Sequence, residues 1–148
     1  MISIVGEFTN LLEEQRIQWM DQHVKVCPIN NTFKLMGKKF TVLILRNMMH
    51  LGQTRFNQFL GIEDINAKIL SARLKEMEKD GLIKRKIFHE RPVRVEYTLT
   101  EKSEALHPVL DQMAAFSMQY CAKDVFKDGK ARKLEEVYGI PFLGKEHR

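Results

Sequence analysis

Apolar and polar positions are most informative between Ile62 and Leu99, where a helical period gives way to an alternating one. Leu70, Leu74 and Met77 stand at i, i+4 and i+7, the spacing of one helix face. Lys68, Ala72, Lys75 and Lys79 recur with the same period on the other side, so the predicted outer face carries three cations and one small side chain. Asn66 has the side chain of an N-cap, and Gly81 after Asp80 suits a left-handed helix stop. Beyond it, IKRKIF and VRVEYTL read as strands. In the second, Val93, Val95, Tyr97 and Leu99 alternate with Arg94, Glu96 and Thr98, the signature of a half-buried strand. The four residues HERP between them suffice only for a hairpin tip.

Phe8, Leu11, Leu12, Trp19 and Met20 lie among Glu13, Glu14, Gln15, Arg16 and Gln18, predicting an amphipathic helix over residues 7–24 interrupted by a polar turn. Pro28 forbids its continuation, and Asn30 or Asn31 is expected to cap a short helix ending near Gly37. Phe40, Val42, Leu43, Ile44, Leu45, Met48 and Met49 cover most of a helical circumference, which places that helix centrally in a core, with Gly52 as its stop. Thr54 and Arg55 are expected to form a very short strand. Phe56, Phe59 and Leu60 are expected to point inward from a short helix, and Gly61 opens the turn to Asn66. Thr100 is the expected cap of a helix whose stripe is Leu106, Val109, Leu110, Met113, Phe116, Ser117 and Tyr120. The charged tail from Lys123 offers Val125, Phe126, Leu134, Val137, Tyr138, Ile140, Phe142 and Leu143 as anchors, with a short helix ending at Gly139.

The fold class expected is mainly α with a small antiparallel β-hairpin: a winged helix-turn-helix with flanking dimerisation helices. The segments are an N-terminal amphipathic helix at 1–26, a winged-helix core at 27–100, a dimerisation helix at 101–122 and a charged extension at 123–148.

Composition changes this picture in one respect. A lysine stripe alone is more often a solvated face, but the positive charge here is concentrated. From Asn66 to Arg94 cations outnumber anions by five, and from Lys38 to Ile65 by two, while residues 1–37 and 95–148 each carry one net negative charge. Such localisation is the footprint of a polyanion site. At 148 residues, 44% hydrophobic and 29% charged, the chain is large enough for a core without staples. No apolar run is long enough to span a bilayer, and MISIVGEF lacks a basic leader, so a cytoplasmic protein, nucleoid-associated and without a membrane partner, is expected. Cys27 and Cys121 are then free thiols. His23, His50, His89, His107 and His147 are scattered, with no spacing of a metal site or a nucleophile–base pair, so neither an enzyme nor a cofactor is expected.

Several runs, taken in order, resemble the HxlR family of winged-helix transcriptional regulators, relatives of the MarR group. They are CPI at Cys27–Ile29, MGKKFTVLILRNM at Met36–Met48, TRFNQFLGI at Thr54–Ile62, KILSARLKEMEKDGLIKR at Lys68–Arg85 and RPVRVEYTLTEKSEAL at Arg91–Leu106. The likeness covers about residues 27–120. Phe40, Val93 and Ser103 depart from the family's usual Trp, Pro and Gly.

The resemblance implies a homodimer that controls transcription by binding a palindromic operator in double-stranded DNA. The helix capped by Asn66 would enter the major groove, reading bases with Ala67, Lys68, Ser71, Ala72 and Lys75. His89, Arg91 and Arg94 of the wing would meet the backbone or minor groove, and Arg55 would clamp a phosphate. For Arg94, pairing with Glu96 or the preceding strand is an equal alternative. The apolar stripes of the helices at 7–24 and 101–121 exceed what a core of this size covers, which predicts that these two helices form the dimer interface. Cys27 is either an oxidant-sensing thiol, as in some members of the family, or a small buried hydrophobe at that interface. A small-molecule effector between dimer helices and core is a further option without an identifying constellation. The rival reading is a winged-helix protein-interaction or basal transcription module with non-specific or no DNA binding.

Overall fold

The computed structural model describes residues 4–139, with side chains from Thr9 onward. The described residues divide into two compact units, with the boundary between residues 38 and 39. The expected anchors Phe8, Ile140, Phe142 and Leu143, and also His147, lie outside the described side chains.

The first unit holds α1 (Ile4–His23) and α2 (Pro28–Met36). The polar turn expected within residues 7–24 does not occur, and α1 runs unbroken. Glu13, Glu14, Gln15, Arg16 and Gln18 are good helix formers, so a polar stretch costs helical continuity nothing. α2 starts at Pro28, earlier than Asn30 or Asn31. Proline fits the first helical turn because its fixed φ is helical and its missing N–H has no intrahelical partner there. Cys27 occupies the N-cap position, its carbonyl accepting the Asn31 N–H at 2.9 Å.

The second unit is the winged helix. Its central helix α3 (Thr41–Leu51) buries Ile44 and Leu45 completely, with Thr41, Asn47 and Met48 also buried. Gly52, at φ +63°, ends it in the left-handed region. A short α4 (Phe56–Phe59) follows, then α5 (Ala67–Lys79), then the antiparallel strands β1 (Ile83–Phe88) and β2 (Arg94–Leu99), paired from Ile83 with Leu99 to Phe88 with Arg94. Phe59 is fully buried, but Leu60 is 37% exposed. It is the C-cap of α4 and has left the inward face, and Ile62 fills the core position instead. Val93 is likewise outside β2, 62% exposed in the hairpin tip.

The single helix expected after Thr100 is two: α6 (Glu101–Glu104) and α7 (His107–Tyr120). Pro108 is the cause, since it has no N–H to donate to the Glu104 carbonyl. Thr100 does cap α6, and the cap is reciprocal. Its Oγ1 accepts the Ser103 N–H at 3.2 Å, while Ser103 Oγ accepts the Thr100 N–H at 2.9 Å.

The stripe on α7 also divides. Leu110 and Met118 are buried, whereas Val109, Met113, Phe116 and Tyr120, at i, i+4, i+7 and i+11, are 40–76% exposed. α7 packs on α3 and on α8 (Ala122–Val125) and α9 (Leu134–Tyr138). Between α8 and α9, Arg132 grips Asp128 through both guanidinium nitrogens, at 2.9 and 2.5 Å, and lies over the Phe126 ring. That bidentate bond holds the Asp128 carboxyl down to about 2. Among the described residues, no helix is long and apolar enough to cross a membrane.

Candidate nucleic-acid interface

The pattern that makes α5 a helix also makes it two-faced. Leu70, Leu74 and Met77 are at most 2% exposed, each contributing roughly 1.5–3 kcal/mol by burial. Asn66 Oδ1 accepts the Ile69 N–H at 2.9 Å, the expected cap. At the other end Gly81 takes φ +74°, its N–H donates to the Glu78 carbonyl and the Leu82 N–H donates to the Met77 carbonyl, a Schellman stop. Thr100 Oγ1 donates to the Gly81 carbonyl at 2.6 Å and Lys102 Nζ to that of Asp80 at 2.7 Å. Both ends of α5 are therefore hydrogen-bonded, as a helix needs if it is to present side chains in fixed places.

Opposite the buried stripe, Ala67, Lys68, Ala72 and Lys75 are exposed, and Ser71 is half-buried beside them. Ile69, 36% exposed next to Lys68, joins this face although the apolar pattern gave no reason to place it there. Arg73 is turned aside into an ion pair with Glu76. Lys79 is exposed at the far end of the helix.

Around α5, the expected strand at Thr54 and Arg55 is reduced to one backbone bond, in which the Tyr97 N–H donates to the Thr54 carbonyl at 2.8 Å. Gln58 Oε1 accepts the N–H groups of Thr54 and Arg55 at 2.9 and 3.0 Å, closing the start of α4 and leaving the Arg55 side chain exposed. In the wing, His89 and Arg91 are exposed at the tip. Arg94 is occupied within the protein. It donates to Glu96 at 3.0 Å and Glu90 at 3.2 Å, and stacks 4.1 Å over the Phe88 ring. Lys84, Arg85 and Lys86 of β1 are all exposed.

Cys27 is exposed and Cys121 half-buried. The histidines that look scattered in sequence are partly gathered. His50 Nε2 and His107 Nε2 lie 3.4 and 3.8 Å from one oxygen of Asp111. The i,i+4 spacing of His107 and Asp111 was legible along the chain, but the approach of His50 from α3 was not.

Comparison with known proteins decides the lineage. The family model described as HxlR-like helix-turn-helix matches residues 35–125. The chain belongs to the HxlR family. HxlR proteins are DNA-binding transcriptional regulators, and this chain is one of them. Within the family it is similar to the HTH-type transcriptional regulator YodB of Bacillus subtilis, 40% identical over 98 residues that cover 65% of this chain and 87% of YodB. It is also similar to the regulator YdeP of the same organism, 33% identical over 81% of this chain and 93% of YdeP. Among solved structures, reduced YodB superposes with a TM-score of 0.57 at 37% identity, over 66% of this chain and 97% of that one. The oxidised form of the redox regulator HypR gives 0.56 at 33% identity, over 62% and 94%. The HxlR match spans α3 to α8 and so contains α4, α5 and the wing.

Proposed function

We propose that this HxlR regulator acts as a homodimer on a palindromic operator, each protomer placing the first two turns of α5 in a major groove. The observation that carries this reading is the exposed face of Ala67, Lys68, Ser71, Ala72 and Lys75, opening at the Asn66 cap opposite a fully buried stripe. Short Ala67 and Ala72 permit close approach, Lys68 and Lys75 donate to guanine edges or phosphates, and Ile69 has the shape to meet a thymine methyl. Arg55, His89 and Arg91 contact the backbone from either side and supply salt-dependent affinity. Arg94 serves instead as the brace of the hairpin tip, because three interactions already hold its guanidinium.

Two-fold pairing doubles a short half-site. Support for it comes from exposed apolar side chains on two helices: Leu11, Leu12, Ile17, Trp19 and Met20 on α1, and Val109, Met113, Phe116 and Tyr120 on α7. Isolated apolar residues at a surface are ordinary, but a stripe of four at helical spacing is the form of an interface.

The test is a footprint on the DNA upstream of the protein's own gene. A protected palindrome that is lost in Lys68→Ala supports base reading, whereas a uniform drop in affinity for all sequences assigns Lys68 to phosphate. Equal affinity for random DNA in the parent protein refutes the operator reading. Sedimentation separates the dimer: Phe116→Arg should yield a 17.4 kDa species, and a parent protein already monomeric at micromolar concentration refutes the pairing.

A second reading concerns Cys27, exposed at the N-terminus of α2 in a relative of redox regulators. Oxidation of this thiol changes DNA affinity. Identical operator binding by Cys27→Ser and parent protein, with and without diamide, refutes it.

A further inference from the structure

His50 near the end of α3, and His107 and Asp111 one turn apart at the start of α7, form a cluster that the DNA-binding face does not use. All three lie in the second unit and all are half-buried. One ring nitrogen of each imidazole and one carboxylate oxygen lie within 4.8 Å of one another. Asp111 Oδ1 is buried and accepts no hydrogen bond, although two imidazole nitrogens stand 3.4 and 3.8 Å away. Buried carboxylate oxygens are normally satisfied, and one that is not calls for an explanation.

We propose that His50, His107 and Asp111 bind one divalent transition-metal ion of the zinc class. At metal–ligand distances of about 2.0–2.2 Å, two donors at a tetrahedral angle stand about 3.3–3.6 Å apart. The His50–Asp111 separation falls in that range, and the His107–Asp111 separation needs to close by a few tenths of an ångström. Ring geometry agrees. Two imidazoles bound through nitrogen to one tetrahedral ion have centroids about 5.2 Å apart, and the His50 and His107 rings are 5.0 Å apart at 83°.

The donor set selects the ion. Two neutral imidazoles and one carboxylate suit zinc, cobalt, nickel or copper, whereas magnesium and calcium prefer oxygen. Three protein ligands leave a fourth position for water or an exogenous ligand. Tyr138 of α9 stacks on His50 at 5.1 Å and limits the freedom of that ring. The ion would join the end of α3 to the start of α7, close to the segment from Gly52 to Thr54 that leads to the DNA-facing elements.

The experiment uses untagged full-length protein, titrated with Co²⁺ and read by visible d–d absorption, then back-titrated with Zn²⁺. A saturable 1:1 signal displaced by zinc is expected, together with a zinc-dependent rise in Tm. His107→Gln and Asp111→Asn should weaken binding at least about tenfold while far-ultraviolet circular dichroism stays native. His89→Gln, outside the cluster, should leave binding unchanged. Absence of a 1:1 signal overturns the proposal. So does wild-type affinity in both cluster variants, which would place the ion elsewhere. A Tm that does not respond to zinc overturns it too.

Discussion

Asn66 allows the folding role of α5 and the DNA role proposed for it to be separated by two substitutions at one atom's reach. Its side chain makes one hydrogen bond, to the Ile69 N–H at 2.9 Å. Removing an N-cap costs about 1 kcal/mol, and for a chain of this size that lowers Tm by about 2–4 °C. Asn66→Ala should show that fall. Asn66→Asp keeps an acceptor at the same position, and its charge faces the positive end of the helix, which favours an anion by about 0.3–1 kcal/mol. The aspartate variant should therefore be at least as stable as the parent.

DNA binding should order the three proteins differently. A carboxylate at the tip of a helix seated in the major groove stands near phosphates, and two like charges about 4 Å apart repel by about 1 kcal/mol in water, more where water is excluded. Asn66→Asp should lose about 5- to 100-fold in affinity, equivalent to about 1–3 kcal/mol, with a larger loss at low salt. Thermal melts by circular dichroism and fluorescence anisotropy with an operator fragment at two salt concentrations measure both. Parental affinity in Asn66→Asp would show that the N-terminus of α5 does not face DNA. A Tm as low as that of Asn66→Ala would show that the cap is not the source of the stability.

Further outcomes follow from single contacts. Leu74→Ala, at a residue 2% exposed, should cost about 2–5 kcal/mol in urea unfolding, and a loss below about 1 kcal/mol would remove it from the core. Gly81→Ala should cost about 1–2 kcal/mol from backbone strain alone, since φ is +74° and the added Cβ meets only Lys102 Cδ at an ordinary 3.8 Å. Gly81→Asn should recover part of that loss. The Asp128 carboxyl is lowered to about 2 from its ordinary 3.8 by Arg132, so its contribution to stability is present above the ordinary value and disappears as pH falls through about 2. Asp128→Asn should lower Tm at pH 5 and match the parent below pH 2, and a difference that persists in acid would assign the effect to packing.

What could be read from the chain was what depends on neighbours in sequence. The 3.6-residue period located α5, the two-residue period β2 and the all-round apolar run α3, and the Asn66 and Gly81 termini were legible because capping is chemistry within one turn. The remaining elements are set by features that a hydrophobic pattern does not carry. The polar run at Glu13–Gln18 has no turn residue, so α1 continued. Pro28 is both a barrier to the preceding helix and a good first residue of the next, and Pro108 breaks the helix from within an apolar stripe that hides it. Leu60 and Val93 had the correct hydrophobicity but stood one position beyond their elements. The occupation of Arg94 by Glu90, Glu96 and Phe88 was only half visible, because Glu90 and Phe88 meet it across the hairpin. The gathering of His50 with His107 and Asp111 depends on packing between helices far apart in sequence, which no periodicity records.

The bond from the Tyr97 N–H to the Thr54 carbonyl fastens the hairpin to the start of α4, and Thr100 and Lys102 fasten the segment after it to the end of α5, so α4, α5 and the hairpin form one mechanical part. None of these can tilt without carrying the others. In the dimer proposed above, a signal that alters affinity for the proposed operator acts by changing the distance or angle between the two copies of α5. Its effect should be felt in the length of the spacer separating two half-sites, while the preferred bases within each half-site stay the same.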